Sequence, residues 1–231
     1  MTTVPTSAVS SLDRDDLRVG IVDDHALVTE ALALTLRGKG FDAFACKPSI
    51  ADDVMAFVSE HDLNVVLLDF NLGDIGTSIP LIPRLVDVGC RVIVFTADTS
   101  RSNWGACIEA GAASVVSKAV SFEELLERVT ELLDDVVERR QTERYELLES
   151  LRRHREEERQ RLAPFAHLTV REYEALLALT LGMSADDMAE SMYLSIATVR
   201  THIRSILQRL GVNSQLAAVA LAVRAGWSTQ A

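Results

Sequence analysis

Short runs of apolar residues recur between Leu17 and about Asp135, separated by stretches of helical period. The runs read LRVGIV, FDAFAC, NVVLLD, CRVIVFT and AASVVS. Runs of this length, rich in β-branched residues, are typical of strands covered on both faces, and such strands occur in parallel sheets. Because helices separate them, they predict an α/β fold built on a doubly wound, five-stranded parallel sheet.

From Leu168 onward the pattern has only the helical period. Thr169 and Glu172 form a capping-box pair before an apolar helix that ends near Gly182. A short helix follows from Ser184, then a turn at 193–194. The segment 195–210 carries one apolar stripe, expected to pack in a core, made of Ile196, Val199, Ile203, Ile206 and Leu210.

Gly211 ends that helix, and Asn213 or Ser214 is expected to cap a last one that runs to Arg224. The C-terminal part therefore predicts a separate all-α domain of four helices.

The stretch 136–163, VVERRQTERYELLESLRRHREEERQRLA, is highly charged and predicts a helix that continues the last helix of the α/β domain. Pairs such as Glu149 and Arg153 support it at i,i+4 spacing. Leucines at 126, 133, 147 and 151 suggest a seam for a partner, but Arg140 and Arg144 interrupt it. A solvated helix is therefore favoured over a coiled coil.

The polar N-terminus lacks the apolar core of a signal peptide, and no uncharged run is long enough to span a bilayer. Cys46, Cys90 and Cys107 are odd in number and have neither disulfide nor zinc spacing, which is typical of reduced thiols. These features predict a soluble cytoplasmic protein with no membrane partner.

Charge is unevenly distributed along the chain. The net charge is −11, yet residues 164–231 hold five acids and five arginines. After Glu190 there is no acid, whereas four arginines follow, namely Arg200, Arg204, Arg209 and Arg224. The average therefore conceals a basic C-terminal surface, and it does not exclude nucleic acid as a partner.

Polar residues follow four of the predicted strands. Asp23 and Asp24 come after the first and Asp69 after the third, whereas Thr96 ends the fourth and Lys118 follows the fifth. Because the carboxyl ends of parallel strands lie at one edge of a sheet, these side chains are expected to share a pocket. Clustered carboxylates need a cation, and hard oxygen ligands suit Mg²⁺.

A lysine and a hydroxyl opposite such a cation could stabilise a phosphoryl group, since phosphoryl transfer depends mainly on positioning and charge neutralisation. Asp69 would then be the nucleophile that forms an aspartyl phosphate.

This constellation resembles the receiver domain of two-component response regulators, a flavodoxin-like fold. The resemblance implies that Asp69 is the phosphoacceptor and that Thr96, Ala97 and Lys118 bind the phosphoryl group. It implies a Mg²⁺ site made by Asp23, Asp24, Asp69 and a backbone carbonyl of Asn71.

The chain departs from the receiver pattern in three places. Val115 stands where the family usually has an aromatic switch residue, the loop DFNLGDIGT replaces the common DxxMPxxDG, and no proline follows Lys118. These departures concern the coupling of the pocket to the rest of the chain, whereas the acidic pocket itself is complete.

A short helix, a tight turn and a longer helix with a basic face predict a helix-turn-helix. The segment from LTVREYE to TVRTHIRSILQRLGV resembles the LuxR/FixJ-type four-helix DNA-binding domain. The resemblance implies that Arg200, Thr201 and Arg204 read bases, and that four others contact the DNA backbone or support the helix locally: Thr198, His202, Ser205 and Arg209. Asp186 and Asp187 stand where relatives often have Asn-Lys.

Together the two resemblances divide the chain into residues 1–16 as a flexible N-terminus, 17–137 as a receiver, 138–163 as a charged helical linker and 164–231 as a LuxR-type domain. They imply a DNA-binding transcriptional regulator, not an enzyme, whose Asp69 is phosphorylated by a histidine kinase. They further imply binding to double-stranded DNA as a homodimer.

Three alternatives stay open at this point. Val115 and the altered loop favour a regulator of the same architecture that acts without phosphorylation. A Mg²⁺-dependent phosphohydrolase would need a second acid near Asp69, where Asn71 lies. A protein-interaction module would show no salt-sensitive DNA binding.

Overall fold

The structure, a computed structural model, describes residues 17–131 and 137–227, with side chains given for 17–130 and 141–227. The prediction for residues 1–16 lies outside the described residues. The chain forms two compact units, residues 1–153 and 154–231, and each is described by itself. The four domain limits expected from the sequence stay a prediction.

The first unit contains a five-stranded sheet in which every pair of neighbours is parallel. Its strands are β1 (Arg18–Val22), β2 (Asp42–Cys46), β3 (Val65–Leu68), β4 (Arg91–Thr96) and β5 (Ser114–Ser117). Their order is β2-β1-β3-β4-β5. From β1 the chain adds β2 on one side and then β3, β4 and β5 on the other side, so the winding order switches between β1 and β3. The predicted doubly wound sheet is confirmed, and in such sheets ligands bind beyond the carboxyl ends of the strands at this switch point.

Helices cover both faces of the sheet. They are α1 (Ala26–Gly38), α2 (Ala51–His61), α3 (Leu81–Asp87), α4 (Arg101–Glu109) and α5 (Phe122–Glu131). Because successive residues of a strand point to opposite faces, Leu67 and Leu68 belong to two different buried clusters. These two apolar layers fix the register of the strands and hold the strand ends in place.

Helix α6 (Val137–Leu162) returns to the sheet domain with part of its length. Leu147 is 2% exposed and Leu151 5% exposed, and Leu147 packs in the same cluster as Val115. The expectation of a solvated helix is therefore wrong for this part, because these leucines are buried within the chain itself. Residues 143–151 are called the docked segment of α6 below.

Glycine allows α6 to approach α4 closely. A Cβ atom on Gly105 would lie 2.4 Å from the carbonyl oxygen of Leu147 and 2.8 Å from Cβ of Leu151. Polar contacts flank this approach: Arg128 pairs with Glu143 at 3.2 Å, and Arg144 donates to the carbonyl oxygen of Ala112 at 3.4 Å. Exposed ion pairs contribute little, so apolar burial holds the docked segment of α6 against α4 and β5.

The second unit is helical, as predicted. It contains α7 (Val170–Thr180), α8 (Ala185–Ser191), α9 (Ile196–Leu210) and α10 (Gln215–Arg224). The predicted capping box of Thr169 and Glu172 is present, Gly211 ends α9 in the left-handed conformation, and Ser214 caps α10.

The apolar stripe of α9 is buried at four of its five predicted positions. Val199, Ile203, Ile206 and Leu210 lie in the core of the second unit. Ile196 is 39% exposed, so its assignment to the core was wrong. It is the first residue of α9, where the helix has only begun to approach its neighbours.

No single helix among the described residues is long and apolar enough to cross a membrane. Helices α9 and α10 meet that test only as a pair bent by 56°.

Candidate functional site

A cavity of about 470 Å³ opens at the carboxyl ends of β1, β3, β4 and β5. Most of the predicted pocket residues line it, and the full lining is Asp24, His25, Asp69, Phe70, Asn71, Gly76, Thr77, Thr96, Ala97, Asp98 and Lys118. Asp23 lies beside it, almost completely buried. The structure therefore brings the predicted phosphoacceptor, metal and phosphate-binding residues together.

Lys118 links two of the carboxylates. Its Nζ lies 2.5 Å from Oδ2 of Asp23 and 2.8 Å from Oδ2 of Asp69. Burial lowers the pKa of Lys118, but the two carboxylates outweigh it, so the pKa is raised and the ammonium keeps its charge. A permanent positive charge thus lies at the pocket floor, next to the predicted phosphoacceptor.

The two carboxylates that Lys118 contacts differ in proton affinity. Burial raises the pKa of Asp69 further than Lys118 lowers it. Burial also opposes ionisation of Asp23, yet the hydrogen bonds from Lys118 and from the backbone N–H of His25 lower the pKa of Asp23. Asp69 is therefore a more basic, less stabilised carboxylate, as a nucleophile should be.

His25 is exposed, yet its imidazole contacts two carboxylates. Its Nδ1 lies 3.1 Å from Asp23 and 2.5 Å from Asp24, and these contacts raise the pKa of His25. Ligand atoms of these three residues lie within 4.8 Å of one another. Asp23, Asp24 and Asp69 offer the clustered hard oxygen donors that suit Mg²⁺, whereas His25 offers only an imidazole nitrogen.

The conformation of the loop after Asp69 accounts for part of its unusual sequence. Asn71 pairs with Thr77 in an isolated bridge, and residues Gly73–Ile75 form one turn of 3₁₀ helix that includes Asp74. Gly73 has φ +61°, and a Cβ there would lie 3.2 Å from Oδ2 of Asp24. The glycine is needed both for its backbone conformation and for its closeness to the acidic pair.

Thr96 lies at the pocket wall, 2% exposed, with the small Ala97 next to it. Its hydroxyl oxygen accepts a hydrogen bond of 3.0 Å from the backbone N–H of Asp98. Asp98 was not singled out from the sequence, because a single aspartate after a strand has no distinctive spacing. It both lines the cavity and holds the hydroxyl that faces it.

Helix α9 presents a basic face in the second unit. Arg200, Thr201 and Arg204 are exposed on it, while Val199 and Ile203 are buried on the opposite face. In the described part of the chain, neither Arg200 nor Arg204 forms an ion pair. Exposed, unpaired arginines on a helix that follows a tight turn are suited to a DNA groove.

The other predicted contact residues of α9 are less accessible or already bonded. Thr198 and His202 are half-buried, and the Thr198 backbone N–H donates to Ser195, the N-cap. Ser205 and Arg209 both donate to the buried carboxylate of Glu172 on α7. These two side chains therefore hold α9 against α7.

The acids of α8 have different roles. Asp187 accepts hydrogen bonds from the backbone and the hydroxyl of Ser184, which lower the pKa of Asp187 and complete a capping box. Asp186 is exposed and lies in the first turn. The acidic start of α8 thus serves the helix terminus, where negative charge is favourable.

Comparisons with known proteins divide the chain in the same way as its fold. Residues 19–130 match the response regulator receiver domain, and residues 166–222 match the bacterial regulatory proteins of the luxR family.

Among whole proteins, similarity extends over almost the full length. Nitrate/nitrite response regulator protein NarP of Escherichia coli is 29% identical over 88% of this chain and 93% of its own. A probable transcriptional regulatory protein NarL of Mycobacterium tuberculosis is 28% identical over 94% of this chain and 98% of its own. Among solved structures, the Salmonella typhimurium RcsB response regulator is 20% identical with a TM-score of 0.48, over 89% and 97% of the two chains.

Proposed function

The chain belongs to the response regulators that join a receiver domain to a luxR-type DNA-binding domain, and we propose that phosphorylation of Asp69 controls its binding to DNA. Its full-length relatives are transcriptional regulators, and phosphorylation control is typical of the family. The proposal extends this family role to named residues of this chain.

The observation that carries the proposal is the pairing of Asp69 with Lys118 at 2.8 Å inside an acidic cavity. An Oδ of Asp69 would attack the phosphorus of a phosphohistidine on a sensor kinase, so that an O–P bond forms as the P–N bond breaks and the kinase histidine leaves with the electron pair of that bond. Lys118, released from part of its contact with Asp69, would neutralise the incoming phosphoryl oxygens, and Thr96 would donate its hydroxyl proton to one of them. Ala97 leaves room for the group to enter.

Asp23, Asp24, Asp69 and the backbone carbonyl of Asn71 would hold a Mg²⁺ ion in the cavity. When bound, the ion supplies positive charge that offsets the roughly −1.5 to −2 charges of the phosphoryl group. The three carboxylates fit it because Lys118 alone compensates only one of their charges.

Mass spectrometry after incubation with acetyl phosphate and Mg²⁺ tests the phosphorylation site. We expect one phosphoryl adduct, on a peptide that contains Asp69. No adduct should form when EDTA is present during the incubation. Asp69→Asn should abolish the adduct, whereas Asp74→Asn, a matched change in the neighbouring turn, should retain it. An adduct that persists in Asp69→Asn would contradict the assignment.

Double-stranded DNA is the proposed output partner, read by Arg200, Thr201 and Arg204. Arg200→Ala combined with Arg204→Ala should weaken DNA binding by about a hundredfold, since each well-placed arginine contributes about 1–3 kcal/mol. Phosphorylation of Asp69 should be unchanged. Arg224→Ala, an exposed arginine on α10, is the matched control and should bind nearly as wild type.

Binding as a homodimer, in the cytoplasm and without enzymatic turnover, completes the proposal. Sedimentation with and without acetyl phosphate should show a larger dimeric fraction when the protein is phosphorylated, and an unchanged fraction would contradict this part of the proposal. Small phosphate esters should not be hydrolysed over many turnovers.

A second candidate is a regulator that works without phosphorylation. The observation that favours it is Val115, which is buried against Leu147 and carries no aromatic ring to rearrange. The same mass measurement separates the two, because this candidate predicts normal DNA binding with no adduct on Asp69.

A further inference from the structure

Helix α4 is tied to the pocket by a hydrogen bond from an indole. Nε1 of Trp104 donates to the backbone carbonyl oxygen of Asp98 at 2.9 Å. The backbone N–H of the same Asp98 donates to the hydroxyl oxygen of Thr96 at 3.0 Å. One residue of the loop between β4 and α4 is thus held at its N–H by the pocket and at its carbonyl by α4.

The side chain of Asp98 makes this loop stiff. Its two carboxylate oxygens accept from the backbone N–H of Ser100 at 2.6 Å and from the amide of Asn103 at 3.0 Å. A segment with its backbone and side chain bonded in this way moves as a unit. We therefore expect a displacement of Thr96 to reach α4 instead of being absorbed by the loop.

The next residue along α4 contacts the docked segment of α6. Gly105 follows Trp104, and its approach to Leu147 and Leu151 leaves no space for even a methyl group. Closely packed surfaces transmit small shifts because they have no slack. Two neighbouring residues of α4 therefore face the pocket loop on one side and α6 on the other.

We propose that Trp104 is a positioning residue: through Asp98 it orients the hydroxyl of Thr96, and through α4 it couples that hydroxyl to the docked segment of α6. This proposal rests on the proposed phosphorylation of Asp69. The Thr96 oxygen accepts the Asp98 N–H and so keeps its own proton to donate to a phosphoryl oxygen. When Thr96 is drawn toward that oxygen, Asp98 and Trp104 pull α4, and the contact at Gly105 loosens.

This route takes the place of the aromatic residue that the receiver pattern would put at Val115. Val115 is buried with Leu147 and offers no polar group. Trp104 provides both an N–H donor and a large apolar ring that packs against the same buried cluster.

Hydrogen exchange on the full chain tests the coupling, with beryllium fluoride and Mg²⁺ as the phosphoryl stand-in. In the wild type we expect the adduct, seen by native mass spectrometry, to raise amide exchange in the docked segment of α6 by roughly threefold or more, the effect of losing about one hydrogen bond of stabilisation. Trp104→Phe keeps an aromatic ring but removes the donor. It should bind beryllium fluoride and lose most of that increase.

Trp227→Phe makes the same chemical change in the other unit and is the matched control. It should respond as the wild type does. The same variant assigns the two indole N–H signals in the NMR spectrum of ¹⁵N-labelled wild-type protein. When beryllium fluoride binds, the signal of Trp104 should shift and the signal of Trp227 should not. Because this NMR measurement uses the wild-type protein, it tests the coupling even if Trp104→Phe folds poorly.

Failure of this coupling is distinguishable from failure of the proposed function. If the wild type forms the adduct but neither amide exchange in the docked segment of α6 nor the indole N–H signal of Trp104 changes, the coupling is overturned and the proposed phosphorylation stands. An equal exchange response in Trp104→Phe and wild type would overturn it as well. If no adduct forms on the wild type, both proposals fail together.

Discussion

At the scale of single residues, Glu172 shows how one buried carboxylate can join two helices. It is 3% exposed and accepts hydrogen bonds from the backbone and hydroxyl of Thr169, from Ser205 and from Arg209. Burial opposes its ionisation, but these donors outweigh it and lower the pKa of Glu172 to about 2. The sequence identifies Glu172 only as a capping residue of α7, but its carboxylate also fixes the position of α9.

Glu172→Gln should therefore destabilise the second unit by about 2 kcal/mol at neutral pH, the range for hydrogen bonds to a charged group. The folded pKa lies below the ordinary value of 4.5, so the stabilisation is complete above pH 4.5 and is lost as the pH falls toward about 2. Urea unfolding at several pH values measures this. A wild-type advantage that did not shrink below pH 4.5 would contradict the argument.

Asp69 is expected to cost stability, because burial raises its pKa. In EDTA at neutral pH, Asp69→Asn should raise the free energy of unfolding, because the neutral amide removes a buried negative charge that the fold stabilises less well than water does. Lys118 keeps Asp23 as its partner, so no buried charge is left unpaired. Thermal unfolding measures the difference, and Mg²⁺ should stabilise the wild type more than the variant. Destabilisation by Asp69→Asn would refute this reading.

At the scale of elements, the sequence predicted that α6 is helical but not that part of it is buried. Its charged pattern predicted a helix correctly, but a solvated one, because the few apolar residues in its middle, such as Leu147 and Leu151, are surrounded by arginines and glutamates. Their burial depends on Gly105, which lies more than 40 residues earlier and leaves a surface that the helix can approach. No local pattern contains that information, since it arises only when α4 and α6 are folded side by side.

Gly105→Ala tests the docking of α6 at this scale. Alanine suits a helix better by about 1 kcal/mol, yet its Cβ would meet Leu147 and Leu151 at clashing distance, which costs about 1–3 kcal/mol. We expect faster amide exchange in the docked segment of α6 and little change in the sheet. Gly38→Ala, at the end of α1 with nothing near its Cβ, is the control and should leave exchange in α6 unchanged. Equal exchange in both variants would show that the contact at Gly105 does not hold α6.

At the scale of the whole molecule, the sheet and the four C-terminal helices could be predicted because their hydrophobic periods and caps are local. The pocket could be predicted from the strand ends, since parallel topology alone brings Asp23, Asp69 and Lys118 together. The hydrogen bonds of Asp98 and Trp104 could not, because they depend on loop geometry. Nor could the bonding of Arg209 to Glu172, which only the packing of α9 on α7 brings about.

The distribution of charge over the whole chain leads to the last prediction. The net charge is −11, yet DNA binding should fall steeply with salt, by on the order of a hundredfold between about 50 and about 200 mM if the bound dimer makes about four phosphate contacts. Fluorescence anisotropy with operator and unrelated duplexes measures this for the full chain. Binding that does not depend on salt would contradict it.

The salt dependence also separates the two roles that an arginine of α9 can have. If Arg204 contacts a phosphate, Arg204→Gln should weaken binding to all sequences alike and reduce the salt slope by about one unit for each protomer of the dimer. If it reads a base, the slope should change little while the preference for the operator falls by about 1–3 kcal/mol. Because Arg204 is exposed and unpaired in the described residues, whereas Arg209 is bonded to Glu172, we expect Arg204 to read a base and Arg209 to act as a support. A uniform loss of affinity with a reduced slope in Arg204→Gln would reverse that assignment.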